Sequence, residues 1–321
     1  MAYGVSGFAS DFDPLLVRWS DQEDYTNWTP AVTNASGELR VQKGNFLERG
    51  VATKAETLVF TDEGLYKQTY IGGDFVYAID RIGDNCGLMG IQGAIDVNGL
   101  VYWMGLSGFF VYNGTVTRLE CSVHDNIFDT NGGDGFNYDQ HEKVACGVNQ
   151  EFNEIIWFYP SRDSQENNRY VIYNYARDIW YDGEITRTTW LDKNTFEKPI
   201  ATGVSSTMYF HEIGSNADGA EISSRLDSAL FDLDDGTQVL LIDQFIPDYK
   251  ELEGTNTVTF TFKKWPQGNE EFVKGPFNIN NQVIYMRGKG RQVSLSYRCS
   301  GINGNFQIGK NRIRIRSDGG R

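Results

Sequence analysis

The chain has 321 residues, of which 29 are basic and 43 acidic, so that it carries a net charge of −14 at neutral pH. Aromatic residues make up 14% of it, and 35 glycines stand against 7 prolines. This composition is typical of short strands joined by tight turns. The length allows one large domain or two smaller ones. The acidic balance disfavours nonspecific nucleic-acid binding by the chain as a whole.

No stretch of the sequence approaches the roughly 20 apolar residues that are needed to cross a bilayer, so we expect no membrane insertion. The N-terminal residues lack a basic start followed by an apolar run, which predicts that there is no export signal. The four cysteines lie far apart in the sequence. Free thiols in a chain made in the cytoplasm are therefore expected.

Short apolar and aromatic runs, separated by Gly, Asn and Asp, fill the first two thirds of the chain and indicate strands. Two pairs of runs are alike and lie about 55 residues apart, near the upper end of propeller-blade periods. Weaker copies bring the number of blade-like units to three or four. We predict a β-propeller-like body with Trp103, Trp157 and Trp180 in the cores of its blades. The paired runs are 98–105 with 108–114 and 153–160 with 169–175, and the weaker copies are 57–66 and 207–212.

The character of the sequence changes near Glu221. Residues 221–231 are the main place where apolar residues recur at a helical spacing, and serines dilute even that pattern. Short alternating runs then follow as far as residue 316, which predicts an antiparallel, sandwich-like module. The expected fold class is therefore all-β, with a propeller-like domain over 1–220 and a smaller β module over 221–321.

The C-terminal stretch is basic, with nine Lys or Arg and one acidic residue between Arg287 and Arg321. Alternation in 312–316 puts three arginines on one strand face and two isoleucines on the other. A solvated edge strand is the simpler interpretation. We instead predict an assembly interface that faces acidic residues of the propeller or of an adjoining subunit. Its candidate residues are Lys310, Arg312, Arg314, Arg316 and Arg321.

Metal ligands can be drawn from three groups of residues, none with a convincing spacing. Cys121, His124, His141 and Cys146 are the residue types of a zinc site, but structural zinc sites more often show a tight pair at each end. Two acidic loops resemble calcium ligands, although Asp and Gly are foremost turn residues. We predict no metal and no cofactor. The residues of the two loops are Asp232, Asp234 and Asp235, and Asn216, Asp218 and Glu221.

Common catalytic motifs are absent from the sequence: there is no nucleophile elbow, no phosphate-binding loop and no zinc-protease helix. Three histidines offer few general acids or bases. The alternative from a different class is a carbohydrate-binding or glycan-cleaving propeller that acts at the host cell surface. It needs two carboxylates across a cleft, and Trp103, Trp157 and Trp180 are its candidate sugar platforms. We expect buried tryptophans and no enzymatic activity.

Across nearly the whole chain, in order, the sequence resembles the tail nozzle and stabilisation proteins of short-tailed bacteriophages. The motifs that carry the resemblance begin with 17–23 (VRWSDQE) and 28–30 (WTP), and they continue through the Trp103 and Trp157 strands. Further motifs follow at 180–183 (WYDG), 187–190 (RTTW), 211–219 (HEIGSNADG), 246–248 (IPD), 290–295 (GRQVSL), 308–309 (IG) and 317–321 (SDGGR).

The resemblance implies a structural virion protein of the tail, assembled in the host cytoplasm as a homo-oligomeric ring, by resemblance a hexamer. Its partners would be tail adaptor and tail fibre proteins, with double-stranded DNA passing through the lumen during ejection without sequence-specific binding. An acidic wall would let DNA slide. Such proteins have further β segments ahead of the 18–21 motif (RWSD), so we expect this chain to be a compact form or to be completed by another chain.

Overall fold

The computed structural model describes residues 1–7, 11–73, 75–129, 135–194, 196–233 and 236–319. The described residues are almost entirely β, in several antiparallel sheets that form no closed barrel. The predicted all-β class is confirmed. The chain divides into two compact units, Met1–Glu212 and Ile213–Arg321. No helix in the described part of the chain is long and apolar enough to span a membrane.

The first unit consists of five antiparallel sheets that follow one another along the chain, and each is a meander of consecutive strands. Sheet 1 contains β1 (Ala2–Ser6), β2 (Phe12–Trp19) and β3 (Gly37–Arg40). Sheet 2 contains β4 (Leu47–Ala52), β5 (Thr57–Thr61), β6 (Gly64–Tyr70) and β7 (Tyr77–Asp84). Sheet 3 contains β8 (Ala94–Val97), β9 (Leu100–Gly105), β10 (Gly108–Tyr112) and β11 (Val116–Leu119).

A short α-helix, α1 (His124–Phe128), and a 3₁₀ segment (Tyr138–Lys143) lead to the last two sheets of the unit. Sheet 4 contains β12 (Ala145–Asn149), β13 (Glu154–Tyr159), β14 (Arg169–Asn174) and β15 (Ile179–Glu184). Sheet 5 contains β16 (Thr189–Leu191), β17 (Ile200–Thr202) and β18 (Met208–Phe210).

The five sheets stack face to face in chain order, because each interior strand is apolar on both faces. In β13 the side chains of Trp157 and Ile155 pack towards sheet 3, whereas Ile156 and Phe158 pack towards sheet 5. Consecutive residues of a strand point to opposite faces, so an unbroken apolar run serves two neighbours at once. Gly147 leaves room for sheet 5 to pack here, since a Cβ at this position would lie 2.3 Å from the Trp190 ring. The sequence predicted three or four units of this kind, and the structure has five.

The second unit is a two-sheet sandwich with its own apolar core. One sheet contains β19 (Ser224–Asp227), β20 (Phe231–Asp232), β22 (Tyr249–Lys263), β23 (Glu271–Asn278) and β25 (Gln292–Ile308). The other contains β21 (Leu240–Ile246), β24 (Ile284–Gly290) and β26 (Arg312–Ser317). The helical spacing noted at 221–231 does not produce a helix. This segment instead adds β19 and β20 to the edge of β25, where ladder hydrogen bonds outweigh a diluted helical pattern.

The arginines of β26 point outward and its isoleucines are half-buried, so the predicted alternation is present. Arg314 and Arg316 pair with Asp243 on the neighbouring strand β21 of the same unit, and the predicted assembly interface stays a prediction. Asp243 lies 2.5 Å from Arg314 and 3.4 Å from Arg316, and the hydrogen bond from Arg314 lowers the pKa of its carboxyl group. The backbone N–H of Lys310 donates to Asp248 at 2.8 Å, and Arg321 lies outside the described residues.

Candidate functional site

The three tryptophans that the sequence singled out lie between the sheets. Trp103 and Trp157 are 0% exposed and Trp180 is 7% exposed. Trp103 packs on Phe60 of sheet 2, and Trp157 packs on Phe109 of sheet 3. A sugar therefore has no access to the faces of these rings, and any glycan site must be formed by other residues.

Two glutamates meet at one end of sheet 4, where sheet 5 covers it. Glu154 opens β13 and lies directly opposite Asn149 of β12 and Asn174 of β14. Asn174 in turn pairs with Ile179 of β15, two residues before Tyr181. Since side chains two apart share a face, Glu154, Asn149 and Tyr181 all lie on the face that sheet 5 covers. Glu212 reaches the same place from the end of β18.

Hydrogen bonds fix both glutamates. The hydroxyl of Tyr181 donates to Oε1 of Glu154. The Nδ2 of Asn149 donates to Oε1 of Glu212 at 3.1 Å. We name the four residues Asn149, Glu154, Tyr181 and Glu212 the carboxylate site. Asn149 is fully buried, and its Oδ1 has no hydrogen-bond partner among the described residues.

Burial raises the pKa of both carboxyl groups above the ordinary range of a glutamate. The charge of Glu212 adds to this effect at Glu154, where the hydrogen bond from Tyr181 opposes it. At Glu212 the charge of Glu151 adds to the effect, while Asn149 and the Lys198 charge oppose it. Each carboxyl group therefore has a neighbouring carboxylate that raises its pKa and a hydrogen bond that opposes the rise, and Glu212 has a lysine charge besides. Neighbouring carboxyl groups with different environments are suited to separate acid and base roles.

The backbone at Glu212 is strained, and charged side chains surround the carboxylate site. Glu212 has a φ of 56°, in the left-handed region that residues with a Cβ rarely adopt, and such strain clusters at functional sites. Beside it, burial first and then the Arg187 charge lower the pKa of His211 to about 4. Its neutral ring accepts a hydrogen bond from Arg187 Nε at 2.8 Å. Lys193 pairs with Glu151 at 2.7 Å.

The residues considered as metal ligands serve other purposes. The structure does not join Cys121, His124, His141 and Cys146 in one site: within the described ranges, no group of three or more His, Cys, Asp or Glu side chains can hold a metal ion. Burial raises the pKa of the Cys146 thiol to about 12.

The two acidic loops supply turn and ladder hydrogen bonds in the second unit. Asn216 and Glu221 accept backbone N–H groups at 2.8 and 2.9 Å. Asp232 accepts from Gln292 at 3.3 Å. Asp218 has a φ of 52°. Asp234 and Asp235 lie outside the described residues.

The sequence did not single out Glu154 or Glu212 as site residues. Glu154 is the one charged residue in the otherwise apolar strand from Glu154 to Tyr159. A charged residue at the end of such a strand is a local signal of a functional position. Glu212 carries no comparable signal. The two meet because sheets 4 and 5 pack together, and the hydrogen bond from Asn149 to Glu212 spans 63 residues.

Comparisons with known proteins return no matching family model and no matching curated protein. Solved structures do match, among them one titled glycoside hydrolase, at 7% identity over 83% of both chains with a TM-score of 0.27. Another is an exo-β-1,3-galactanase variant from Phanerochaete chrysosporium with β-1,3-galactotriose. It has 11% identity over 84% of this chain and 82% of its own, with a TM-score of 0.31.

These matches correct two expectations. A structural role in a phage tail and the absence of enzymatic activity were both expected from the sequence, whereas both titles name glycan-cleaving enzymes. With TM-scores of 0.27 and 0.31 the likeness is loose, so the residues of this chain must carry the functional assignment.

A stability measurement tests the burial of Glu154. Folding raises the pKa of Glu154. The stabilisation linked to its protonated form is complete below the unfolded-state pKa of about 4.3, and it is lost as the pH rises through the pKa of the folded state. Glu154→Gln is neutral at every pH and should therefore melt at a higher temperature than the parent at neutral pH. The difference should shrink towards zero near about pH 4.

Thermal melts across this pH range measure the effect of Glu154→Gln. Glu197→Gln, which changes an exposed carboxylate between β16 and β17, should follow the parent throughout. If Glu154→Gln instead destabilises the protein at neutral pH, the ionised carboxylate is stabilised by its hydrogen bonds more than burial opposes it.

Proposed function

We propose that the first unit is a glycoside-cleaving enzyme whose catalytic groups are Glu154 and Glu212. The observation that carries the proposal is the pair of glutamates that meet where sheet 5 covers sheet 4, Glu154 half-buried and Glu212 exposed, each held by its own donor and each with a raised pKa. Glycoside hydrolysis needs such a pair, one to protonate the leaving oxygen and one to stabilise or attack the anomeric carbon or to activate water.

The pKa of both carboxyl groups is raised, mainly by burial, so the shifts alone do not divide the roles. We take Glu154, which accepts a hydrogen bond from the Tyr181 hydroxyl, as the general acid that protonates the glycosidic oxygen. Glu212, which accepts from the Asn149 amide, is then the nucleophile or base. Tyr181 and Asn149 are positioning residues, because each contacts one of the carboxyl groups.

The charge of the unit indicates a neutral substrate. Residues 1–212 contain 15 basic and 30 acidic side chains, a net of −15. Glu151 lies beside the carboxylate site and repels negative charge. An anionic polysaccharide would meet an unfavourable field at this unit, whereas a neutral glycan would not.

The test is release of reducing sugar from neutral α- and β-linked oligosaccharides and polysaccharides of glucose, galactose and N-acetylglucosamine. The parent protein should cleave at least one of them, and the double variant Glu154→Gln with Glu212→Gln should lose that activity to the background level. Glu197→Gln is the matched control and should retain it. No release by the parent across the panel, or full activity in the double variant, would overturn the proposal.

A further inference from the structure

The outer face of the three-stranded sheet in the second unit is rich in exposed basic side chains. Strand β21 lies between β24 and β26, and residues directly opposite on neighbouring strands share a face. Leu240, Ile242 and Phe245 of β21 are buried in the core, so the other positions form the outer face. We name this surface the basic face, and its residues are Leu241, Asp243, Gln244 and Ile246 of β21, Tyr285, Arg287 and Lys289 of β24, and Arg312, Arg314 and Arg316 of β26.

Basic side chains outnumber acidic ones on the basic face. Five cations stand against Asp243 and against Asp318, which lies just beyond β26. The two acids pair with three of the cations. The other two, Arg287 and Arg312, are exposed and have no ion pair within the described part of the chain. An exposed guanidinium with no acid beside it is available to a carboxylate of another molecule.

Apolar side chains lie between the two rows of cations. Leu241 and Ile246 of the central strand are half-buried, and Tyr285, in register with Gln244, is 72% exposed. Protein interfaces combine an apolar centre with a polar rim, and they are enriched in Tyr and Arg. A linear polyanion would pair with the cations alone, whereas a folded acidic surface would also cover the apolar side chains. The composition of the basic face therefore favours a protein partner.

The first unit of this protein has the complementary charge. Residues 1–212 contain 15 basic and 30 acidic side chains, a net of −15, whereas 213–321 contain 14 basic and 13 acidic ones, a net of +1. Two copies of net charge −14 repel each other at a distance. At about 0.15 M salt the screening length is about 8 Å, which removes most of that repulsion and leaves contacting ion pairs in place.

We propose that the basic face binds the acidic first unit of a second copy of this chain. Arg287 and Arg312 pair with carboxylates of that unit, while Tyr285 and the apolar residues of β21 pack on its surface. Each copy offers both surfaces, so the contact is head-to-tail. Strands of six or seven residues make a face only about 20 Å long, and a contact of this size is weak and reversible.

Sedimentation equilibrium tests the association, at about 0.15 M salt and at protein concentrations from about 5 to 500 µM. The weight-average mass should rise above that of the monomer as the concentration increases. At about 1 M salt the screening length is about 3 Å, and the mass should return to the monomer value. A monomer mass throughout the range at the lower salt, or association that is unchanged at the higher salt, would contradict the proposal.

Variants test the residues of the basic face. Arg287→Gln with Arg312→Gln should fold as the parent does and should weaken self-association about two- to thirtyfold, the loss of two ion pairs at exposed positions. Tyr285→Ala should weaken it about fivefold or more, the effect of a central interface aromatic. Lys274→Gln with Arg298→Gln is the matched control. It changes the net charge equally at exposed positions of the five-stranded sheet, and it should associate as the parent does.

Carbodiimide cross-linking identifies the surface that the basic face contacts. Lys289 lies on the face and Lys310 precedes β26, and both ammonium groups can be coupled to a nearby carboxylate. In an equal mixture of ¹⁴N- and ¹⁵N-labelled protein, their links to residues 1–212 should include mixed-isotope pairs, which only two different copies can form. Links that never mix isotopes, or that mix them only within 213–321, would overturn the proposal.

Two further outcomes would also sink the proposal. One is an equal loss of association in the Arg287 and Arg312 variant and in its control, since net charge and not the basic face would then govern it. The other is a parent that stays monomeric yet binds heparin through these two arginines, since the face would then serve a polyanion. Neither outcome bears on the proposed hydrolysis, which is measured as sugar release, and Glu154→Gln with Glu212→Gln should self-associate as the parent does.

Discussion

Trp157→Ala should reduce the free energy of unfolding of the first unit by about 3–5 kcal/mol, the usual cost of truncating a fully buried large aromatic side chain. The side chain is 0% exposed, and its ring packs on Phe109 and Trp180. Its Nε1–H donates to the Gly93 carbonyl at 3.0 Å. Truncation removes the packing and leaves that carbonyl without its partner. Urea unfolding followed by near-ultraviolet circular dichroism measures the loss.

Trp103→Ala should cost about as much, because Trp103 occupies the equivalent place one sheet earlier. Each is the fourth residue of the second strand of its sheet, and Trp103 donates to the Cys86 carbonyl at 2.7 Å. The two lie in separate apolar clusters, so their effects should add within about 0.5 kcal/mol.

Tyr25→Ala is the matched control, since this ring is 83% exposed, and it should change stability by less than about 0.5 kcal/mol. Costs below about 1 kcal/mol for both tryptophans would contradict their place in the cores between the sheets.

Glu154→Gln should slow cleavage of a natural glycan by about 10²–10⁴-fold, the usual contribution of a general acid. The loss should be much smaller with an aryl glycoside whose leaving phenol is a weak base, because such a leaving group departs without protonation. Glu212→Gln should lose activity on both substrates, since its role does not depend on the leaving group. Steady-state kinetics of both variants on both substrates distinguishes the roles.

The pH dependence of activity is a second test of the general-acid role of Glu154. The parent should lose activity as pH rises through the raised pKa of the acid, and Glu154→Gln should lack that limb on the aryl glycoside. Glu197→Gln should reproduce the parent profile. If the aryl substrate rescues Glu212→Gln and not Glu154→Gln, the two roles are reversed and the assignment made here is wrong.

Local sequence patterns predicted the sheets whose strands are long and apolar. The 98–114 and 153–175 runs correspond to β9 with β10 and to β13 with β14, and the weaker run at 57–66 corresponds to β5 with β6. Sheet 5 escaped recognition as a full unit because its strands have three residues each, which is too short for a periodic signal.

The candidate site could not be predicted in the same way. Glu154 and Glu212 are brought together by the packing of one sheet on another, and their pKa shifts depend on burial that only the packed structure defines. Strand β26 was predicted only in part. Alternation placed Arg314 and Arg316 on the exposed face, but their partner Asp243 follows from strand order, which local alternation does not determine.

The stacking of five sheets in chain order makes the first unit resemble a one-dimensional array, in which each member is stabilised mainly by its nearest neighbours. Sheet 5 is the last member and the shortest in its strands, and the three buried residues of its cluster with sheet 4 all belong to sheet 4, while Trp190 of β16 is only partly buried. Amide hydrogens of β16–β18 should therefore exchange with solvent through local opening well before those of β9 and β13. Because Glu212 follows directly after β18, the same opening would separate the two carboxylates, so that the proposed activity would be lost on warming before the unit as a whole unfolds.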